Sequence, residues 1–218
     1  MASDTAPVDH PDDGLDDGLD ESLEGEIRWG SATGVALTVW SALGLAAAFA
    51  LSVDKVRILQ DPTFQPSCNI NPVLSCGSVM VTDQASAFGF PNPFLGVAGF
   101  SMMLVLGVMV VLRVRLPGLV LAGAAAGSVA GVAMLHWLIV QSLYEIGALC
   151  PWCMVVWAVT MPLATWFVLT AASRIPSRGL RRGIRAVWQW RFTLVFLWYV
   201  GVVVLALVRF WDYWSTLL

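Results

Sequence analysis

The 218-residue chain is 58% hydrophobic and 12% charged, with eleven tryptophans, a composition that excludes an ordinary soluble domain and points to a polytopic membrane protein. The formal net charge of -3 hides an uneven distribution, because ten of the fifteen acidic residues fall within the first twenty-six positions. A basic membrane body therefore carries an acidic tail, and no nucleic-acid partner is expected.

The tail, residues 1–27, reads as a disordered cytoplasmic segment: acidic, Gly-containing and nearly free of aromatics. It lacks the basic opening of a secretory signal, so no cleavable signal peptide is expected. Five apolar runs follow, each near the roughly 20 residues that cross a hydrocarbon core. They are roughly Gly34 to Val53, Phe94 to Leu112, Gly118 to Val140, Cys150 to Ala172 and Phe192 to Phe210. The predicted fold is all-α, with no soluble domain outside the membrane.

Lysines and arginines concentrate in cytoplasmic loops, which fixes the expected orientation. With a cytoplasmic N-terminus, Arg28, Arg113, Arg115 and the six arginines from Arg174 to Arg191 share one side. Only Lys55, Arg57 and Arg209 lie opposite. The loop from Asp54 to Pro93 and the turn from Gln141 to Leu149 then face outward, and every cysteine goes with them. Disulfides form and persist on that oxidising face.

Cys68 and Cys76 occupy the long loop at C-x7-C spacing, and Cys150 and Cys153 open the fourth span as C-P-W-C. Two residues between cysteines let both sulfurs meet across one helical turn, while a helix N-terminus favours the thiolate. Pro151 suits that first turn, where its missing N–H would have been unpaired anyway. The loop, rich in proline and carrying Phe64, Phe88 and Phe90, could cap the bundle and bring Cys76 near Cys150. A redox relay is one reading of the two pairs. Inert structural disulfides and a structural zinc site are the others.

Polar residues inside spans are candidates for function. His136 and Gln141 suit either a substrate headgroup or a bond between helices, and Asn92, between Pro91 and Pro93, suits either a quinone carbonyl or a helix cap. Gly123, Gly127 and Gly131 predict a small-residue packing face. Trp188, Trp190, Trp211 and Trp214 read as interface anchors around the fifth span.

From about Val35 to Leu169 the chain resembles a bacterial member of the vitamin K epoxide reductase family. The resemblance rests on the C-x7-C pair, the Ser75-Cys76-Gly77-Ser78 run, the Phe90-Pro91-Asn92-Pro93-Phe94-Leu95-Gly96 start of the second span, and Cys150-Pro151-Trp152-Cys153. It implies a four-helix catalytic domain over residues 28–172, built around a quinone, with residues 54–93 as an extracytoplasmic lid bearing a half-helix. A basic cytoplasmic loop, residues 173–191, and a fifth transmembrane helix, residues 192–218, would follow. The resemblance also implies catalytic roles for all four cysteines. Cys153 lies next to the quinone, Cys150 is its partner, and Cys76 and Cys68 form the shuttle. Asn92, Ser78, Trp157 and Phe94 are the implied quinone contacts, and the acceptor is a menaquinone or ubiquinone.

Two departures from the family pattern bear on function. Animal enzymes carry a tyrosine four residues after the second C-x-x-C cysteine, where this chain has Trp157. Simple quinone reduction therefore fits better than epoxide reduction. Many bacterial relatives also continue into a fused thioredoxin-like domain, whereas this sequence stops at Leu218. The expected electron donor is thus a separate exported DsbA-like protein, and the expected activity supports disulfide formation in the plasma membrane. Quinone recycling for its own sake is the alternative enzymatic reading.

Overall fold

The computed structural model describes residues 31–175 and 178–216. The expected acidic tail lies outside them. The elements are α1 (Ser31–Gln60), α2 (Cys76–Met80), a 3-10 turn (Asp83–Ser86), α3 (Pro93–Val111), α4 (Gly118–Val140), a π-helical segment (Gln141–Ile146), α5 (Pro151–Ser173), α6 (Arg178–Arg209) and α7 (Trp211–Trp214). Among the described residues, five helices are long and apolar enough to cross a membrane. A helix satisfies its own backbone polar groups, and this lets such apolar sequences sit in hydrocarbon. Prolines mark two starts: Pro93 begins α3 and Pro151 begins α5, where no backbone donor is lost.

Helix α1 packs along α3 and α5, and α4 packs on α5. The shared core takes Leu37 and Ala48 from α1, Phe100 from α3, Leu121 from α4, and Leu163 and Phe167 from α5. Among the glycines of the described spanning helices, close approach to a neighbouring helix is seen between α1 and α3. A Cβ on Gly34 would lie 2.7 Å from Val111 N, and one on Gly107 would lie 2.9 Å from Thr38 N. This corrects the packing face expected on α4. Gly123, Gly127 and Gly131 are exposed, and a Cβ at any of them meets nothing within 4 Å. Small residues at four-residue spacing permit close packing, but the partner helix must lie on that face.

Helix α6 rests mainly on α5. Trp198 Nε1 donates to His136 Nε2 at 2.8 Å, and the Tyr199 hydroxyl donates to the Ala158 carbonyl. His136 thus serves a bond between helices. Around it, Leu135, Ile139, Trp157 and Phe210 form a second apolar cluster. Of the expected anchors, Trp190 and Trp211 are exposed, and Trp188 stacks under the Arg191 guanidinium at 4.5 Å.

Two helices overrun their expected ends. Helix α1 continues seven residues past Val53 to Gln60, and α6 begins at Arg178 rather than Phe192. Charges end an apolar run without ending a helix, since arginine and lysine are good helix formers. In α1 the extension is also packed: Leu51, Lys55 and Ile58, at i, i+4 and i+7, all turn inward. The segment expected to form the lid therefore starts after Gln60, and most of the expected basic loop is helical.

Candidate active site

Helix α2 has five residues, too few to nucleate alone, so its neighbours must hold it. Ser75 caps it, accepting the Ser78 N–H at 3.2 Å. The cap is itself fastened. Ser75 N donates to Leu149 O at 2.9 Å, and Leu149 N donates to Val73 O at 2.7 Å. Together with the isolated parallel bridge between Leu74 and Leu149, these bonds lay the lid alongside the start of α5. The next residue on each side is a cysteine.

Cys76 and Cys150 are both fully buried, and their sulfurs lie 3.2 Å apart. Cys76 is disulfide-bonded to Cys68, while Cys150 and Cys153 are free thiols. Cys150 is the N-cap of α5, where Cys153 N donates to its sulfur at 3.4 Å. The Cys150 thiol, just outside the apolar span, is held below the ordinary cysteine range. The Cys153 thiol contributes most, and the Cys153 and Trp152 backbone N–H groups add to it, against burial and the Asp54 carboxylate. Leu51, Met80 and Ile58 close around the four sulfurs. Cys153 lies one turn into α5, half-buried, and touches both this cluster and the one containing Trp157.

Asn69 links the same two stretches of chain as the disulfide. Its Oδ1 accepts from Gly77 N at 2.8 Å and from the Ser75 hydroxyl at 3.2 Å, and its Nδ2 donates to Gln65 Oε1 at 2.9 Å. A Cβ on Gly77 would approach Asn69 Nδ2 to 2.9 Å. The Ser-Cys-Gly-Ser run is therefore shaped by local hydrogen bonding as well as by sulfur chemistry. Beside α2, a groove of about 280 Å³ is lined by Ile58, Phe64, Pro66, Asn69 and Ser78 among others.

The four expected quinone contacts do not converge equally on the sulfurs. Ser78 is exposed on the groove and bonded to Ser75. Asn92 uses its amide within the lid, donating to Gln84 O at 2.6 Å and accepting from Ala87 N at 3.0 Å, and it makes no side-chain cap on α3. Phe94 is exposed on the first turn of α3. Trp157 is buried one turn beyond Cys153 and packs in the same cluster. Gln141 bonds to the lid through Gln84 Nε2 at 3.3 Å.

The model of the vitamin K epoxide reductase family matches residues 35–168, well over half of the chain. The chain belongs to the vitamin K epoxide reductase family. No curated protein matches it. The matched segment spans the four packed helices, the lid and all four cysteines, while α6 lies beyond it. Membership in the vitamin K epoxide reductase family makes the chain a membrane thiol–disulfide oxidoreductase that works with a quinone. Two of the four sulfurs are joined to each other, and among the described residues no group of three His, Cys, Asp or Glu side chains is arranged to hold a metal.

Proposed function

We propose that the protein is a thiol:quinone oxidoreductase that draws electrons from an exported DsbA-like protein and so sustains disulfide formation. The observation that carries this reading is the 3.2 Å separation between the Cys150 thiol and Cys76 of the Cys68–Cys76 disulfide. Exchange proceeds by thiolate attack on a disulfide sulfur, and these two atoms are at contact distance for it.

A donor thiolate attacks Cys68 and releases the Cys76 thiolate, and the donor's second thiol resolves the mixed disulfide, leaving the donor oxidised. Cys76 then attacks Cys150 of a Cys150–Cys153 disulfide and expels the Cys153 thiolate. Cys68 attacks Cys76, restoring the loop disulfide and freeing Cys150. The arrangement with Cys68–Cys76 bonded and both Cys150 and Cys153 reduced is that stage: the electron pair has reached the inner cysteines. From Cys153 the pair passes to the quinone substrate, which takes up two protons to become hydroquinone while Cys150–Cys153 closes. Leu149, Leu135, Ile139 and Trp157 around Cys153 supply an apolar setting suited to a quinone ring.

The arginines between α3 and α4 and from Arg174 to Arg191 support a cytoplasmic N-terminus in the plasma membrane, with the lid and sulfurs outside. Trp157 offers no phenolic hydroxyl, which favours quinone reduction over epoxide reduction. Asn92, Ser78 and Phe94 remain part of the proposed acceptor site. Asn92 would act by shaping the lid above it, as its bonds to Gln84 O and Ala87 N suggest.

The test is full-length protein in lipid with menaquinone or ubiquinone and a reduced DsbA-like donor, followed by quinone absorbance. Wild type should consume one quinone per donor disulfide formed, and Cys153→Ala should abolish consumption. In Cys76→Ala, given the oxidised donor instead, the lone Cys68 thiolate should open the donor disulfide and be held in a mixed disulfide with it, the donor's second sulfur leaving as thiolate. Normal quinone loss in Cys153→Ala overturns the path, and absence of the adduct with every exported thioredoxin-fold protein overturns the donor class.

A further inference from the structure

Lys55 has the one charged side chain buried among the described residues, with 7% of its surface exposed. Charged groups are seldom buried without a partner. Here Lys55 Nζ donates to the Met80 carbonyl at 2.5 Å, across twenty-five residues of sequence. Met80 is the last residue of α2, and Cys76 is its first. Carbonyls at a helix C-terminus lack intrahelical donors and carry partial negative charge, so an ammonium there is doubly favourable. The two ends of α2 are therefore fastened to different helices. The Ser75 to Leu149 bond ties its N-terminal end to the start of α5, and Lys55 ties its C-terminal end to α1.

This has a bearing on turnover. The Cys68–Cys76 disulfide is a third tether on α2, and each catalytic cycle breaks it. At that moment the five-residue helix has no stability of its own. Its remaining anchors decide whether Cys76 stays against Cys150.

We propose that Lys55 is a positioning residue for the internal exchange: its bond to the Met80 carbonyl keeps α2 seated on α1, and so keeps Cys76 on Cys150 while the loop disulfide is open. The inference rests on the relay proposed above, but its test needs neither donor nor quinone.

In full-length Cys68→Ala/Cys153→Ala protein, the Cys76–Cys150 disulfide is the only one available. Equilibration with glutathione oxidises both thiols, and one glutathione disulfide yields two glutathiones. The equilibrium constant is the effective concentration of the two thiols. Adding Lys55→Met should lower that concentration roughly tenfold or more, the scale of a lost hydrogen bond to a charged group. Lys55→Arg should restore it to within about threefold, because it keeps a cationic donor. A parallel measurement on Cys150–Cys153, in Cys68→Ala/Cys76→Ala protein, separates seating of the lid from general loosening. Lys55→Met should leave that pair unchanged. An unchanged Cys76–Cys150 value, an equal fall in both pairs, or no rescue by arginine each overturns the proposal. Failure of quinone reduction with these equilibria intact would instead count against the relay.

Discussion

The Ser75 N–H donates to the Leu149 carbonyl at 2.9 Å, and the residue after each partner is a cysteine whose sulfur meets the other at 3.2 Å. A backbone bond thus sets a sulfur–sulfur contact. The side chain of Ser75 is separable from that bond, since it caps α2 instead. Ser75→Ala should destabilise the protein by about 1 kcal/mol, the usual cost of a lost N-cap. Thermal unfolding in detergent checks this, and a larger drop than in Ser78→Ala is expected.

Gly77 abuts Asn69 too closely for a methyl group to fit without movement. Gly77→Ala should displace the Asn69 amide and weaken its bonds to Gly77 N and the Ser75 hydroxyl. Donor oxidation should slow several-fold, at about 1 kcal/mol of stability for the disturbed hydrogen bonds. Stopped-flow reduction of the loop disulfide by a reduced donor measures it, and Asn69→Ala should reproduce the effect without the steric change.

Asn92 uses one donor and one acceptor within the lid. Asn92→Asp keeps the acceptor for Ala87 N and loses the donor to Gln84 O, whereas Asn92→Ala loses both. Quinone reduction should fall in the order wild type, Asp, Ala. If the lid is what changes, protease cleavage between residues 82 and 92 should quicken in the same order.

Cys150 has a depressed thiol pKa, with the Cys153 thiol contributing most and the Asp54 carboxylate opposing. Alkylation rises with pH as thiolate forms, so its midpoint should lie below that of an ordinary cysteine. Asp54→Asn removes an opposing negative charge and should move the midpoint lower still. Cys153→Ala removes the leading cause and should move it higher. Mass-spectrometric quantification of small-reagent labelling at Cys150 across pH reads both shifts.

Trp198 and His136 join α6 to α4 far from the sulfurs in sequence. Trp198→Phe removes the N–H and should cost about 0.6–2 kcal/mol, the range for interhelical bonds in membranes. Thermal unfolding of the full-length protein in detergent measures the cost, and the Cys76–Cys150 contact should be kept, since the bond lies outside the cysteine cluster.

Much of the fold was legible because hydropathy is a strong signal in lipid, and the cysteines stood out by chemistry and spacing. The helical extension to Gln60 was not legible. Asp54, Lys55 and Arg57 read as loop charges, and only tertiary contact reveals that Lys55 turns inward. The Gly123 to Gly131 stripe failed for the converse reason: its periodicity is real, but nothing in one helix names the helix it meets. Asn92 was recognisable as special between its prolines, yet its partners Gln84 and Ala87 are set by the path of the lid. Asn69 was missed altogether. Its position beside Cys68 was the available signal, because an amide next to one sulfur can reach the backbone around the other.

The contact between Cys76 and Cys150 joins residues seventy-four positions apart, and a backbone pairing near the fifth helix start makes it. Cys68 and Cys76, eight apart, can pair as soon as the lid emerges. The longer contact requires α3, α4 and the first turn of α5 to be inserted beforehand. A half-made chain can thus hold an outer disulfide with no route inward, and electron transfer becomes possible only once the membrane domain is assembled.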